Sequence, residues 1–177
     1  MRAIIGLGNP GDEYKNNRHN VGFMFLDFLT KETNDLSDKN FKYDKYLKSA
    51  ICHLHHDSVF IKPQTFMNRS GEAVNRLIKN FKLKISDLTV VHDDLDIPLG
   101  KFHIQKTGPK LHNGIESIEN TLGSKDFLRI RVGVDNRKAD NRIDGETYVL
   151  QDFLPDEKSI ILTRVFPDIL SQITLVK

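Results

Sequence analysis

The sequence predicts an α/β sandwich. Short continuous apolar runs bounded by turn residues, at 1–8 and 88–91, read as buried strands, and apolar residues spaced three and four apart, at 20–31 and 70–81, read as helices packed on them. Length is the third observation. With 177 residues the chain suits one core, so a single domain over 1–177 is expected, able to bury roughly two-thirds of its unfolded surface without a disulfide or metal.

The first strand is followed by a helix whose Val21, Phe25, Phe28 and Leu29 face a core, and then by a polar, lysine-rich connection. Residues 49–55 and 58–62 read as a hairpin around His56-Asp57, and Pro63 opens a loop ending at Asn68. Ser70 is placed to cap a second helix, with Ala73, Val74, Leu77, Ile78 and Phe81 on one stripe and Arg76, Lys79 and Lys82 opposite. The run 88–91 reads as a central strand ending in His92-Asp93-Asp94. Residues 101–105 and 127–134 give further strands with a helix at 113–122 between them, and a last helix lies within 156–176.

Composition narrows the function classes. Cys52 is the only cysteine and sits in a strand-like run, which excludes a disulfide framework and a thiolate metal cluster and fits a reducing compartment. The N-terminus lacks a signal-peptide layout, and no apolar stretch approaches the ~20 residues of a membrane span, so a cytoplasmic protein is expected. Net charge is only +2, but residues 101–142 hold nine Lys or Arg against five acids, and 69–84 hold five against Glu72 alone. Such clustering suits either phosphates or an ordinary solvated face.

The stretch "GLGNPGDEYKNNRHN", residues 6–20, contains the G-x-G-x-x-G spacing of a dinucleotide turn. The chemistry argues against a nucleotide. Pro10 biases Asn9 away from helix and removes a donor where the phosphates would sit, and eight polar residues intervene before the helical pattern begins. What remains is a loop presenting Asn9, Tyr14 and His19.

Three other stretches have similar character: "KPQTFMNRSG" at 62–71, "VVHDDLDIP" at 90–98 and "GPKLHNG" at 108–114. Each has a plain structural reading, with the aspartates capping turns, Asn68 and Asn113 capping helices, and Phe66 and Met67 in the core. Their common position at strand-to-helix connections favours a shared site. No nucleophile elbow is present, so water is the expected attacker in any hydrolysis. Zinc at His53, His55 and His56 lacks carboxylate or cysteine support, and magnesium at Asp93, Asp94 and Asp96 is a minor alternative.

Taken together, "GLGNPG..Y....RHN.G", "P.TFMN.SG", "HD.LD.P.G" and "HNG", in this order, resemble the bacterial-type peptidyl-tRNA hydrolase family. The resemblance runs from Arg2 to Leu154 and takes in "LRIRVGV" and "YVLQDF". It implies a single domain with a mixed twisted sheet flanked by helices, a monomer without metal or cofactor, and cleavage of the ester joining a peptide to the terminal ribose of tRNA. It further implies His19 as base, Asp93 as its orienting partner, Asn9 in discrimination for N-blocked groups, and Tyr14, Phe66, Met67, Asn68 and Asn113 as substrate contacts.

Physical chemistry makes these roles sensible. An imidazole near neutrality takes a proton from water while a carboxylate fixes its tautomer, and asparagines stabilise developing charge without adding one of their own. Peptides of many sequences call for backbone recognition and a forgiving apolar wall. Phosphate contacts would dock the tRNA body. The chain departs from the family at 108–114, where Pro109 and Leu111 stiffen a loop that is usually glycine-rich and one residue longer, and at Asn17, where threonine is common. His103 replaces a cation of the family's proposed phosphate clamp and Arg131 keeps the other half. The expectation is a clamp partly moved to Lys101, Lys106 or Lys110. A non-catalytic RNA-binding protein is the alternative; joint retention of His19, Asp93, Asn9 and Asn68 favours the enzyme.

Overall fold

A computed structural model describes residues 1–33, 40–54, 57–138 and 143–173. Its centre is a seven-stranded sheet ordered β2-β3-β4-β1-β5-β7-β6. The strands are β1 (Arg2–Gly6), β2 (Lys42–Asp44), β3 (Ser49–His53), β4 (Ser58–Pro63), β5 (Leu88–Pro98), β6 (Phe102–Gln105) and β7 (Leu128–Asp135). β4, β1, β5 and β7 run parallel, and β3 and β6 pair antiparallel on their two sides, which makes the sheet mixed as the family resemblance implied. The helices are α1 (Val21–Glu32), α2 (Ser70–Phe81), α3 (Asn113–Leu122), α4 (Gly145–Val149), α5 (Pro155–Ile160) and α6 (Phe166–Gln172).

The central strands are apolar on both faces because helices cover both. Alternate residues of one strand therefore enter different cores. Ile4, Val91 and Val132 pack with Phe25 of α1 and Phe166 and Ile169 of α6, whereas Ala3, Ile5 and Val90 pack with Val74 and Leu77 of α2 and Ile118 of α3. Among the described residues no helix is long and apolar enough to cross a membrane.

Several boundaries differ from expectation for identifiable reasons. β5 continues through His92, Asp93 and Asp94 to Pro98 because β7 pairs with it beyond Val91, so these residues lie on a strand rather than in a loop. Ser70 does not cap α2: it is the first helical residue, and its Oγ donates to the Met67 carbonyl at 2.9 Å. Asn113 likewise opens α3, which is capped instead by His112. The lysine-rich connection contributes the edge strand β2. The hairpin of β3 and β4 is present, while His55 and His56, and with them the zinc reading at that tip, lie outside the described residues. The last helix begins at Pro155, and its α5 and α6 portions are joined by a π-type turn, Ile161–Val165, just before Pro167, whose ring removes a backbone N–H.

Two glycines of the first motif set a close approach. A Cβ on Gly22 would lie 2.4 Å from both the Leu7 nitrogen and the Val91 oxygen, and one on Gly6 would lie 2.3 Å from the Gly22 oxygen. The head of α1 therefore sits directly on the end of β1 and on β5 at Val91. Gly22→Ala forces backbone apart, so it is expected to destabilise the fold by about 1–3 kcal/mol. Denaturant titration of that variant checks this; unchanged stability would mean the contact is not tight.

Candidate functional site

β1 ends at Gly6 opposite Val91, and beyond that point β5 is flanked by β7 on one side only. The short turn Arg18–Asn20, packed against β5, occupies the other side. His19 and Asp93 therefore meet. The His19 Nδ1 lies 2.9 Å and 3.0 Å from the two carboxylate oxygens of Asp93, and the His112 Nε2 reaches Oδ1 at 3.0 Å.

The hydrogen bonds assign the tautomers. His112 Nδ1 accepts the N–H groups of Gly114 and Ile115 at 3.2 Å and 3.3 Å, so its proton is on Nε2 and is donated to Asp93. His19 donates its Nδ1–H to the same carboxylate. Its Nε2 lone pair is left for chemistry.

Electrostatics follow from burial. Burial acts to raise the Asp93 carboxyl, but the facing imidazoles of His19 and His112 outweigh it and hold the group well below the usual carboxylate range. Burial acts to lower His19, and the Asp93 charge and hydrogen bond overcome it, raising the imidazole above its ordinary 6.5. His92 is pushed far down, chiefly by burial, so it stays neutral; it bonds the Asp93 carbonyl through Nδ1 at 2.6 Å and meets the His112 ring edge-on at 4.7 Å.

Asn9 is fixed in the same wall. Asn20 accepts the Asn9 backbone N–H at 2.8 Å and returns a bond to its carbonyl at 2.9 Å, while the Asn9 Oδ1 accepts the Met67 N–H at 2.8 Å. Its Nδ2 is thereby left as the donor facing the cleft. Phe66 adopts a φ of 58°, rare for a side chain of its size, and stands 54% exposed with its ring 6.3 Å from that of Tyr14 in an edge-to-face arrangement. The side chain is thus held outward at the cleft and is not part of the core. Met67 is buried, whereas Asn68 and Asn113 are exposed.

Asn9, His19, Phe66, Met67, Asn68, Asp93 and Asn113 line a cleft of about 610 Å³ together with Thr65, Leu95, Leu111, His112 and the α4 residues Gly145, Glu146 and Val149. That volume suits a small organic group plus neighbouring chain. The cleft opens at the carboxyl ends of β1, β4 and β5, where α1 and α2 leave for opposite faces of the sheet. The structure brings the sequence-predicted Asn9, His19, Phe66, Met67, Asn68, Asp93 and Asn113 together here, with Tyr14 beside Phe66.

Sequence reasoning missed the side chains that hold the site together. His112 was visible only as the neighbour of Asn113. Arg18 is 3% exposed, forms an ion pair with Glu157 at 2.5 Å, donates to the carbonyls of Tyr148, Gln151 and Asp152, and lies 4.0 Å over the Tyr148 ring. It clamps the α4–α5 segment beside His19, and its carboxylate partner is too distant in sequence for any local signal.

Ligand atoms of His19, Asp93 and His112 lie within 4.8 Å of one another, but His112 spends both ring nitrogens on hydrogen bonds, which makes the group a hydrogen-bond relay. The three aspartates do not converge. Asp94 Oδ2 accepts from Arg131 Nε at 2.6 Å and its Oδ1 from the Asp96 N–H, and Asp96 Oδ2 accepts from the Lys110 N–H. Arg131 is thus buried and engaged, with His103 opposite it across β6 and β7. Lys101, Lys106 and Lys110 are exposed, although Lys106 pairs with Asp126 at 2.5 Å.

Residues 3–176 match the family model described as peptidyl-tRNA hydrolase. The chain is 42% identical over 166 residues to the peptidyl-tRNA hydrolase of Sulfurihydrogenibium sp., covering 91% of this chain and 83% of that one. It is 43% identical over 158 residues to that of Bdellovibrio bacteriovorus, covering 89% and 83%. The crystal structure of peptidyl-tRNA hydrolase from Acinetobacter baumannii superposes with a TM-score of 0.83 at 29% identity, over 97% of this chain and 86% of that one.

The His19–Asp93 pair has a pH signature. Because the folded His19 is raised, the stability it contributes is full below about pH 6.5, its unfolded value, and fades as pH rises through the folded value. In Asp93→Asn, burial is unopposed, so the His19 ring is expected to titrate below 6.5 instead of above it. NMR titration of the histidine ring protons checks both; an unshifted His19 would mean that Asp93 does not control it.

Proposed function

Since this chain belongs to the peptidyl-tRNA hydrolase family, we propose that it hydrolyses the ester between a peptide, or an N-blocked amino acid, and tRNA, with water activated by His19 and Asp93 as the orienting carboxylate. The observation that carries the residue assignment is the pairing of His19 Nδ1 with both oxygens of a buried carboxylate at 2.9 Å and 3.0 Å, beside an open cleft.

The reaction runs as follows. His19 Nε2 accepts a proton from water as its oxygen attacks the ester carbonyl, and the resulting imidazolium is stabilised by ionised Asp93. His112, donating its Nε2–H to the same carboxylate, keeps Asp93 from rotating. Negative charge gathers on the carbonyl oxygen, where Asn9 Nδ2 donates without competing for the His19 proton. Collapse of the tetrahedral intermediate expels the ribose oxygen, and the imidazolium returns its proton to it. General-base help of this kind is worth about 10²- to 10⁴-fold, so orientation must supply the rest.

Substrate holding divides along the cleft. Asn68 and Asn113 offer paired donors and acceptors to peptide amides, and Met67, Phe66 and Tyr14 provide an apolar wall with little side-chain preference. Lys101, Lys106 and Lys110 are the exposed cations for tRNA phosphates, and Arg131, committed to Asp94, serves them by bracing the strand. Phosphate docking makes binding salt-dependent and largely indifferent to tRNA sequence. A monomer working in the cytoplasm completes the reading.

His19→Ala is expected to lower kcat by at least about 10²-fold while leaving the fold and affinity for deacylated tRNA close to wild type. Release of N-acetyl amino acid from N-acetyl-aminoacyl-tRNA, in EDTA and beside the unblocked aminoacyl-tRNA, measures it. Comparable turnover by the variant would overturn the role of His19; tRNA binding by the wild-type protein without cleavage would favour an RNA-binding protein.

A further inference from the structure

Phe66, Asn68 and Arg69 form one rim of the cleft, and beyond Arg69 lies a cluster of cations that the reaction above does not use. Glu72 Oε2 accepts from Arg69 Nη2 at 2.7 Å, and its Oε1 accepts from Lys48 Nζ at 2.5 Å and Arg76 Nη2 at 3.1 Å. Three cations surround one carboxylate, which the hydrogen bond from Lys48, with Arg69 alongside, holds down at about 2 despite partial burial. The cluster is therefore net positive throughout the neutral range.

It is also anchored. Arg76 Nη1 donates to the Tyr46 carbonyl at 2.7 Å, and the Lys48 carbonyl accepts the Gln64 N–H at 2.8 Å, tying the cluster to the segment that leads into Phe66. Tyr46 is 70% exposed, and the Arg76 guanidinium lies 5.9 Å from the centre of its ring. The nearby acid Asp44 is turned to the Leu47 N–H at 2.8 Å.

The opposite rim of the cleft, at Leu111, adjoins Lys110 and the segment assigned above to tRNA phosphates. An ester substrate has two arms. With tRNA on that side, the peptide leaves over Phe66 and Asn68 toward α2. Arg69 and Arg76 are separated by about 10 Å along the helix at ~1.5 Å per residue, a span that extended chain covers in about three residues.

We propose that Lys48, Arg69 and Arg76, with the Tyr46 ring, form a subsite for the upstream part of the peptide arm and favour acidic side chains a few residues before the esterified one. The inference rests on the hydrolase reading of the cleft.

The test compares three substrates at low salt: N-acetyl-aminoacyl-tRNA, and two N-acetyl-tetrapeptidyl-tRNAs that differ only in Asp or Lys at the first residue. Wild-type kcat/KM is expected to favour the Asp form about fivefold, the scale of two or three exposed charge contacts, and salt should erase the preference. Arg76→Glu should reverse the preference and Arg76→Gln should flatten it, both with unchanged turnover of the short substrate, which does not reach the cluster. Equal rates for the Asp and Lys forms in a wild-type protein that cleaves the short substrate would overturn the subsite alone. Failure to cleave the short substrate would overturn the hydrolase reading and the subsite with it. Weakened binding of deacylated tRNA by Arg76→Glu would assign the patch to RNA and defeat the proposal.

Discussion

The cleft depends on one ionised carboxylate kept out of water. Asp93 is 2% exposed, and a lone carboxylate in that position would cost several kcal/mol or take up a proton. Donors from His19 and His112 prevent this, and in return both rings are fixed in tautomer and direction. One burial therefore organises base, orienting group and bracing imidazole together. Asp94, the next residue, is neutralised by Arg131, so a second negative charge does not compete beside it.

The location of Asp93 is a consequence of strand length. Because β5 outruns β1, its last residues lose one neighbouring strand and gain the head of α1 in its place. The replacement fits only because Gly6 and Gly22 present no Cβ to the opposing backbone. Gly6, the first glycine of the apparent phosphate cradle, thus serves packing, and what the close approach brings near is a histidine rather than a nucleotide. Arg18 completes the arrangement by fastening α4 and α5 to the same turn, so the far wall of the cleft is referenced to the residue beside the base.

Charge is separated by purpose across the molecule. Amides and apolar groups line the reacting region, where a fixed cation would lower the basicity of His19. Cations lie outside it, at 101–110 on one side and around Glu72 on the other. Low net charge conceals this division.

The sequence by itself determined the α/β class, the alternation of strands and helices and most of the residues in the cleft, because periodicity and turn residues report local geometry and four short motifs were recognisable together. Ile4 and Ile5, or Val90 and Val91, also announce strands covered on both faces. What the sequence did not disclose depends on partners far away in the chain. The extension of β5 through Asp93 required β7, the bracing role of His112 required Asp93, and the commitment of Arg131 to Asp94 and of Arg18 to Glu157 required elements 37 and 139 positions distant. Local pattern specifies which residues are polar, but only tertiary pairing decides which of those charges remain free to meet a substrate.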